Sequence, residues 1–132
     1  MDYITPIKEE KLRQFVLDTL LPYKEDPQTC GYEHGSCCYL TDNGKMCALG
    51  KHMNPGPWQD SLNDAEMVLL EYGKEEVLTE EALSYNIDEE GWRLIQLYHD
   101  SIAVGHSRAI RGTNVDLIET HFNLKFPELR YD

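Results

Sequence analysis

Apolar residues recur along this chain with two periods, and the switches between them mark out its elements. At residues 12–20, Leu12, Phe15, Val16, Thr19 and Leu20 fall at i, i+3, i+4, i+7 and i+8, the stripe of a helix that buries one face. Thr5-Pro6 opens that helix, because Thr caps well and Pro is tolerated where its missing N–H had no partner. Pro22 is expected to stop it. A polar stretch, Tyr23 to Glu33, reads as a loop. Two short apolar runs follow, Cys37–Leu40 and Met46–Leu49, around Asp42-Asn43-Gly44-Lys45. Asn-Gly suits a type I′ turn, which needs positive φ at both central residues, so residues 36–50 read as a β-hairpin. With Asn43-Gly44 as the loop, Cys38, Leu40, Cys47 and Leu49 share one face, and Tyr39, Thr41, Met46 and Ala48 the other.

The helical period returns after the Asn54-Pro55-Gly56-Pro57 loop. Two overlapping capping boxes, Ser61 to Asp64 and Asn63 to Glu66, open a helix through Met67, Leu69, Leu70 and Tyr72, ended by Gly73. Thr79-Glu80-Glu81 starts a short helix. Asp88 caps a longer one, in which Trp92, Ile95, His99 and Ile102 form a stripe with Leu94, Leu97 and Tyr98 beside it. So wide an apolar surface suits a central helix buried on more than one side. Gly105 ends it, and Thr113 to Asp116 is expected to cap a last helix carrying Val115, Ile118 and Phe122. Leu124-Lys125-Phe126-Pro127 folds the tail back. The expected class is therefore α+β: a single domain, residues 1–132, with about four main helices packed around the hairpin.

Charge changes this picture in one place. The chain carries 24 acidic and 12 basic residues, a formal net charge of −12. Between Asp60 and Glu90 stand eleven acids and one base, Lys74, so this segment holds −10 of the total. Such a field repels nucleic acid and anionic membrane and attracts a basic surface. No apolar run is long enough to span a bilayer, and Met1-Asp2-Tyr3-Ile4 lacks the basic start of a signal peptide. The cytoplasm is the expected compartment, and the four cysteines are expected to be reduced there.

The pattern Cys38-x-x…Gly44-x-x-Cys47-Ala48-x-Gly50, followed by Leu94…His99-Asp100, resembles a group of small phage and bacterial proteins. In these a C-x-Y strand, a Gly turn and a C-A-x-G strand precede an L-x-x-x-H-D helix and an amphipathic C-terminal helix. The likeness spans roughly Gly35 to Leu124. It departs where the group often places an arginine between Cys and Tyr. It departs again where Lys51-His52-Met53-Asn54-Pro55 replaces an Ile-Pro-Asp-like loop. The resemblance implies phage or mobile-element origin and no particular activity.

Three constellations invite chemistry. Cys30, His34, Cys37, Cys47 and His52 are ligand types for zinc, although no C-x2-C pair exists among them and buried reduced cysteine also serves as a small hydrophobe. Cys30, in its loop, is the thiol expected to be exposed enough for nucleophilic work, beside Asp26 and Glu33, which oppose a thiolate. His99-Asp100 lacks the further ligands of a metal phosphohydrolase. It reads as a core-facing histidine with a local hydrogen bond and a solvent-facing aspartate. The function expected from the sequence is thus partner binding without catalysis, cofactor, membrane or direct nucleic-acid contact. A small acidic accessory protein would engage a basic host protein, a nucleic-acid-binding or defence protein, through segment 60–90. Its contact residues would be Asp60, Asp64, Glu71, Glu75, Glu76, Glu80 and Glu81, with Trp58 as an aromatic anchor. Two alternatives stay open: a zinc- or thiol-dependent enzyme built on the 30–52 cluster, and a virion or assembly component.

Overall fold

The computed structural model describes residues 4–30, 32–33, 36–37, 46–56, 65–105 and 107–130. Among the described residues six α-helices follow in order: α1 (Ile4–Glu25), α2 (Ala65–Tyr72), α3 (Lys74–Val77), α4 (Glu80–Ser84), α5 (Glu89–Ala103) and α6 (Arg108–Phe122). Helix α5 is the axis of the fold. Its Trp92, Leu94, Ile95, Tyr98, His99 and Ile102 are all buried, so both its predicted stripe and the residues beside it pack inward. Asp88 caps it by accepting from the Gly91 N–H at 2.8 Å. Helix α6 packs along α5 through Val115 and Ile118, and α1 along another side through Phe15, Val16 and Leu20. The tail returns as expected: Phe126 and Leu129 are buried, and the Tyr98 hydroxyl donates to the Leu129 carbonyl at 2.8 Å. Among the described residues no helix is long and apolar enough to cross a membrane.

The α+β expectation is overturned. The fold is helical, and among the described residues the only strand ladder is two residues a side, Tyr32–Glu33 against Ser36–Cys37. That pairing makes no layer for helices to pack on. It meets the expected β-hairpin only at Ser36–Cys37, and that hairpin's turn Asn43-Gly44 and partners Cys38 and Leu40 fall outside the described residues. The expected second arm is not a strand. Met46 to Leu49 runs through a turn into a 3-10 helix at Gly50–His52. Burial gives the reason. A half-buried strand alternates, yet Cys47, Ala48 and Leu49 are buried in succession while Met46 is 37% exposed. The Leu49 N–H, a donor that a ladder would need, is taken by the Gln96 side chain of α5 at 2.9 Å.

Two helix boundaries also move. Helix α1 passes through Pro22 to Glu25, and the Asp26 N–H closes its last turn on the Pro22 carbonyl at 2.9 Å. The turn beyond the proline is held from outside. Buried Tyr23 donates to the Met46 carbonyl at 2.6 Å, and the Lys24 ammonium donates to the Glu128 carbonyl at 2.7 Å. Those bonds offset the hydrogen bond that proline cannot make. Helix α6 starts at Arg108, capped by Ser107, so Thr113 lies inside it. Its hydroxyl donates to the Ala109 carbonyl at 3.1 Å, a bond to the preceding turn that leaves it no capping role. The caps expected at Ser61 and Asn63 lie outside the described residues.

Candidate functional site

The acidic segment folds into three short helices held from below. Gly73, at φ +85°, turns α2 into α3, a backbone conformation costly for any residue with a β-carbon. Thr79 caps α4 by accepting from the Ala82 N–H at 3.2 Å. Val77, Leu78 and Ala82 are buried and anchor the run. The segment around His52 then ties down its backbone. The Asn54 N–H donates to the Val77 carbonyl at 2.8 Å and the Thr79 N–H to the His52 carbonyl at 2.9 Å, while the Asn54 side chain reaches the Leu78 carbonyl at 3.0 Å. With apolar residues inward and the backbone fixed, the glutamates point out. Glu75 and Glu76 start α3, and Glu80 and Glu81 start α4, where the partial positive charge of a helix N-terminus favours them.

Glu71, Glu75, Glu76, Glu80 and Glu81 are all exposed. Among the described residues none of the five forms an ion pair with a cation. Lys74, the base among them, turns its ammonium to the Ile87 carbonyl at 3.4 Å. Two large apolar side chains stand out of α2 beside them, Leu70 at 58% and Tyr72 at 42% exposure. Five of the seven carboxylates expected to bind a partner are thus exposed along α2–α4, the acidic ridge. Trp58, Asp60 and Asp64 lie outside the described residues. The helical period placed Leu70 and Tyr72 in a core stripe, and their exposure corrects that expectation.

The cysteine and histidine positions behave differently. Cys30 is 7% exposed, not an open thiol, and its Sγ lies 3.9 Å from the His99 carbonyl, to which it donates. The exposure expected of a loop cysteine is overturned because the 3-10 turn Pro27–Thr29 folds this loop against α1 and α5. Cys47 is fully buried and accepts from the Gly50 N–H at 3.2 Å. Neither forms a disulfide among the described residues. His52 stands apart from Cys30, with Nε2 at 2.8 Å from the Thr19 hydroxyl and its ring 4.6 Å from that of Phe15. Burial, and then the Lys51 charge, push its pKa down to about 4. The side chains of His34 and Cys37 are not among those described, and among the described residues no three ligand side chains converge on a metal-sized site.

His99 faces the core as expected, but its partners include a residue the sequence reading passed over. Its Nδ1 lies 2.8 Å from Asp100 Oδ1, and the Gln96 amide donates to the same oxygen at 2.8 Å. A carboxylate only accepts, so the Nδ1 proton sits between the two. Gln96 thereby joins the α5 carboxylate to the Leu49 N–H through its two amide ends. A fully buried glutamine among apolar positions was the available signal. Asp100 is half-buried within this network and does not simply face solvent, contrary to expectation. Nearby, burial and the two thiols hold the Tyr23 phenol well above its ordinary range. Burial lowers the pKa of Lys51, whose ammonium sits 4.2 Å over the Tyr23 ring and donates to the Thr19 carbonyl at 2.8 Å. Every described polar group of this cluster is turned to another part of the same chain, the arrangement of a structural knot.

No protein-family model matches the chain, and neither a curated protein nor a solved structure does.

Proposed function

We propose that this chain acts by binding a protein with a basic surface through the α2–α4 ridge. The observation that carries the reading is the set of five exposed carboxylates without cationic partners among the described residues, on helices whose backbone is fixed from below. Unpaired charge of one sign on a rigid support raises the encounter rate with the opposite charge, and Leu70 and Tyr72 offer apolar contact beside it. Carboxylates spaced along helices suit a surface built for nucleic-acid phosphates, so a nucleic-acid-binding protein of a host cell is the class of partner proposed. The sequence resemblance to phage proteins fits a small accessory protein that blocks such a surface. The thiol alternative has less support, since catalysis needs a reachable thiolate and both described thiols are buried.

The test compares the protein with its Glu71→Gln/Glu75→Gln/Glu76→Gln/Glu80→Gln variant as bait in bacterial lysate, at low and high salt. The expected result is a basic protein retained by the parent, lost by the variant, and released as salt shortens the screening length. A partner held equally by both baits, or indifferent to salt, overturns the proposal.

A further inference from the structure

Where the ridge ends, the chain forms a cleft of about 420 Å³ between α1 and α4. Glu81, the last ridge carboxylate, stands on one wall and Asp18 of α1 on the other. Between them lies an aromatic surface: the Tyr85 ring stacks on Phe15 at 4.2 Å with 22° between planes, and Phe15 leans on His52 at 4.6 Å. Neither carboxylate has a cation partner among the described residues; Asp18 accepts only a neutral amide hydrogen bond from Gln14 at 2.7 Å. The histidine adds no charge. The Thr19 hydroxyl donates its one proton to the Phe15 carbonyl at 2.9 Å, so it must accept from His52 Nε2, and burial keeps the ring neutral at pH 7. Lys11, exposed, also lines the cleft, so its charged lining sums to one net negative charge.

We infer that this cleft accepts an arginine side chain of the basic partner, its guanidinium stacked on Tyr85 between Asp18 and Glu81. The inference rests on the partner-binding reading of the ridge and adds a chemical preference to it. A planar guanidinium can lie flat on an aromatic ring while its N–H groups reach carboxylates in the same plane. An ammonium matches only the charge. The cleft is of a size that holds one side chain and continues directly from Glu80 and Glu81, so an arginine in it would fix the register of a partner lying along the ridge.

The test is an NMR titration of the full chain with N-acetyl-arginine amide and, separately, N-acetyl-lysine amide, following the Tyr85 and Phe15 ring signals. The arginine amide should shift both rings and bind at least about threefold more tightly than the lysine amide. Tyr85→Leu and Asp18→Asn should each weaken the arginine amide by about threefold or more. Thermal melts report whether each variant folds; if Tyr85→Leu does not, Asp18→Asn decides. Equal binding of the two amides, or an unchanged titration with Asp18→Asn, overturns the inference and leaves the ridge reading intact. The fourfold glutamine variant used above, which keeps Glu81, should leave the arginine titration unchanged while losing the partner. A selective arginine titration without any salt-sensitive partner would sink the ridge reading, and with it the assignment of the arginine to a partner protein.

Discussion

The α2–α4 ridge and the α5–α6 side of the molecule carry the same carboxyl groups in opposite circumstances. On the ridge, Glu71, Glu75, Glu76, Glu80 and Glu81 stand without cation partners among the described residues. On the other side, Asp88 meets His121 at 2.7 Å, Glu90 meets Arg93 at 2.6 Å, and Arg130 bridges Asp116 at 2.6 Å and Glu119 at 2.5 Å. Glu128 of the tail is held by Arg13 of α1. Apart from Arg93, which pairs within α5, these bases join elements: α5 to α6, α6 to the tail, and the tail to α1. The charge is not spread evenly: residues 65–84 hold six acids and one base, and five of those acids stand exposed with no cation partner among the described residues. One side uses its acids to assemble the chain, and the other leaves them for something outside it.

The sharpest way to break this contrast is at Glu119. Its carboxylate takes the Phe126 N–H at 2.7 Å as well as Arg130, which docks the buried Phe126. Burial alone would raise its pKa, but the Phe126 N–H and Arg130 outweigh that and hold it below the usual range. Glu119→Ala strands the N–H, and denaturant unfolding should show a loss of about 2–3 kcal/mol. Glu75→Ala on the ridge should stay within about 0.5 kcal/mol. Equal losses would show that the two sides do not differ as described.

The ridge side has its own acid-sensitive point beneath the glutamates. His52 has a folded pKa lowered to about 4 from an ordinary 6.5. The unfolded chain therefore takes up its proton first, so the stability His52 contributes is whole above about pH 6.5 and lost as pH falls through about 4, on the order of 3 kcal/mol. The depressed carboxylates Asp88, Glu119 and Glu128 lose theirs lower, as pH drops below the ordinary carboxylate value. Stability curves of the parent and His52→Gln should diverge in slope between pH 6.5 and 4 and run parallel below. A parallel course throughout would place the loss elsewhere.

The smallest expected effect concerns the fourfold glutamine variant of the ridge. Removing four like charges relieves repulsion and forfeits favourable helix-end charge, two opposing contributions of a few tenths of a kcal/mol each. Its midpoint of unfolding should move by less than about 1 kcal/mol in either direction, and added salt should shift it less than it shifts the parent. A large destabilisation would mean that the ridge charges serve the fold.

Much of this was legible in residue spacing. The stripe Leu12, Phe15, Val16, Thr19 and Leu20 and the wide surface of α5 follow from a period of 3.6, which burial enforces. The caps at Thr79 and Asp88 follow from side-chain chemistry alone. The second arm of the hairpin misled because Met46 to Leu49 is apolar for a reason that is not local: it sits in a turn beneath α5, and the donor that decides its conformation, the Leu49 N–H, answers to Gln96, 47 positions away. Pro22 misled likewise, since Met46 and Glu128 supply the bonds that let the helix pass it. Of the site, the charge was plain in the sequence. The absence of partners for it, and the Tyr85 face beside Asp18, depend on which helices meet.

The tail's grip on α1 sets a timetable. Arg13 donates to the Lys125 carbonyl, 112 residues downstream, and Lys24 to that of Glu128, 104 residues downstream. A ribosome adding about 5–20 residues per second makes the first helix wait roughly 5–20 seconds for the residues that cover it. During that interval the side of α1 that receives Phe126 and Leu129 has no native cover. A newborn chain thus carries that apolar face uncovered until its last residues emerge.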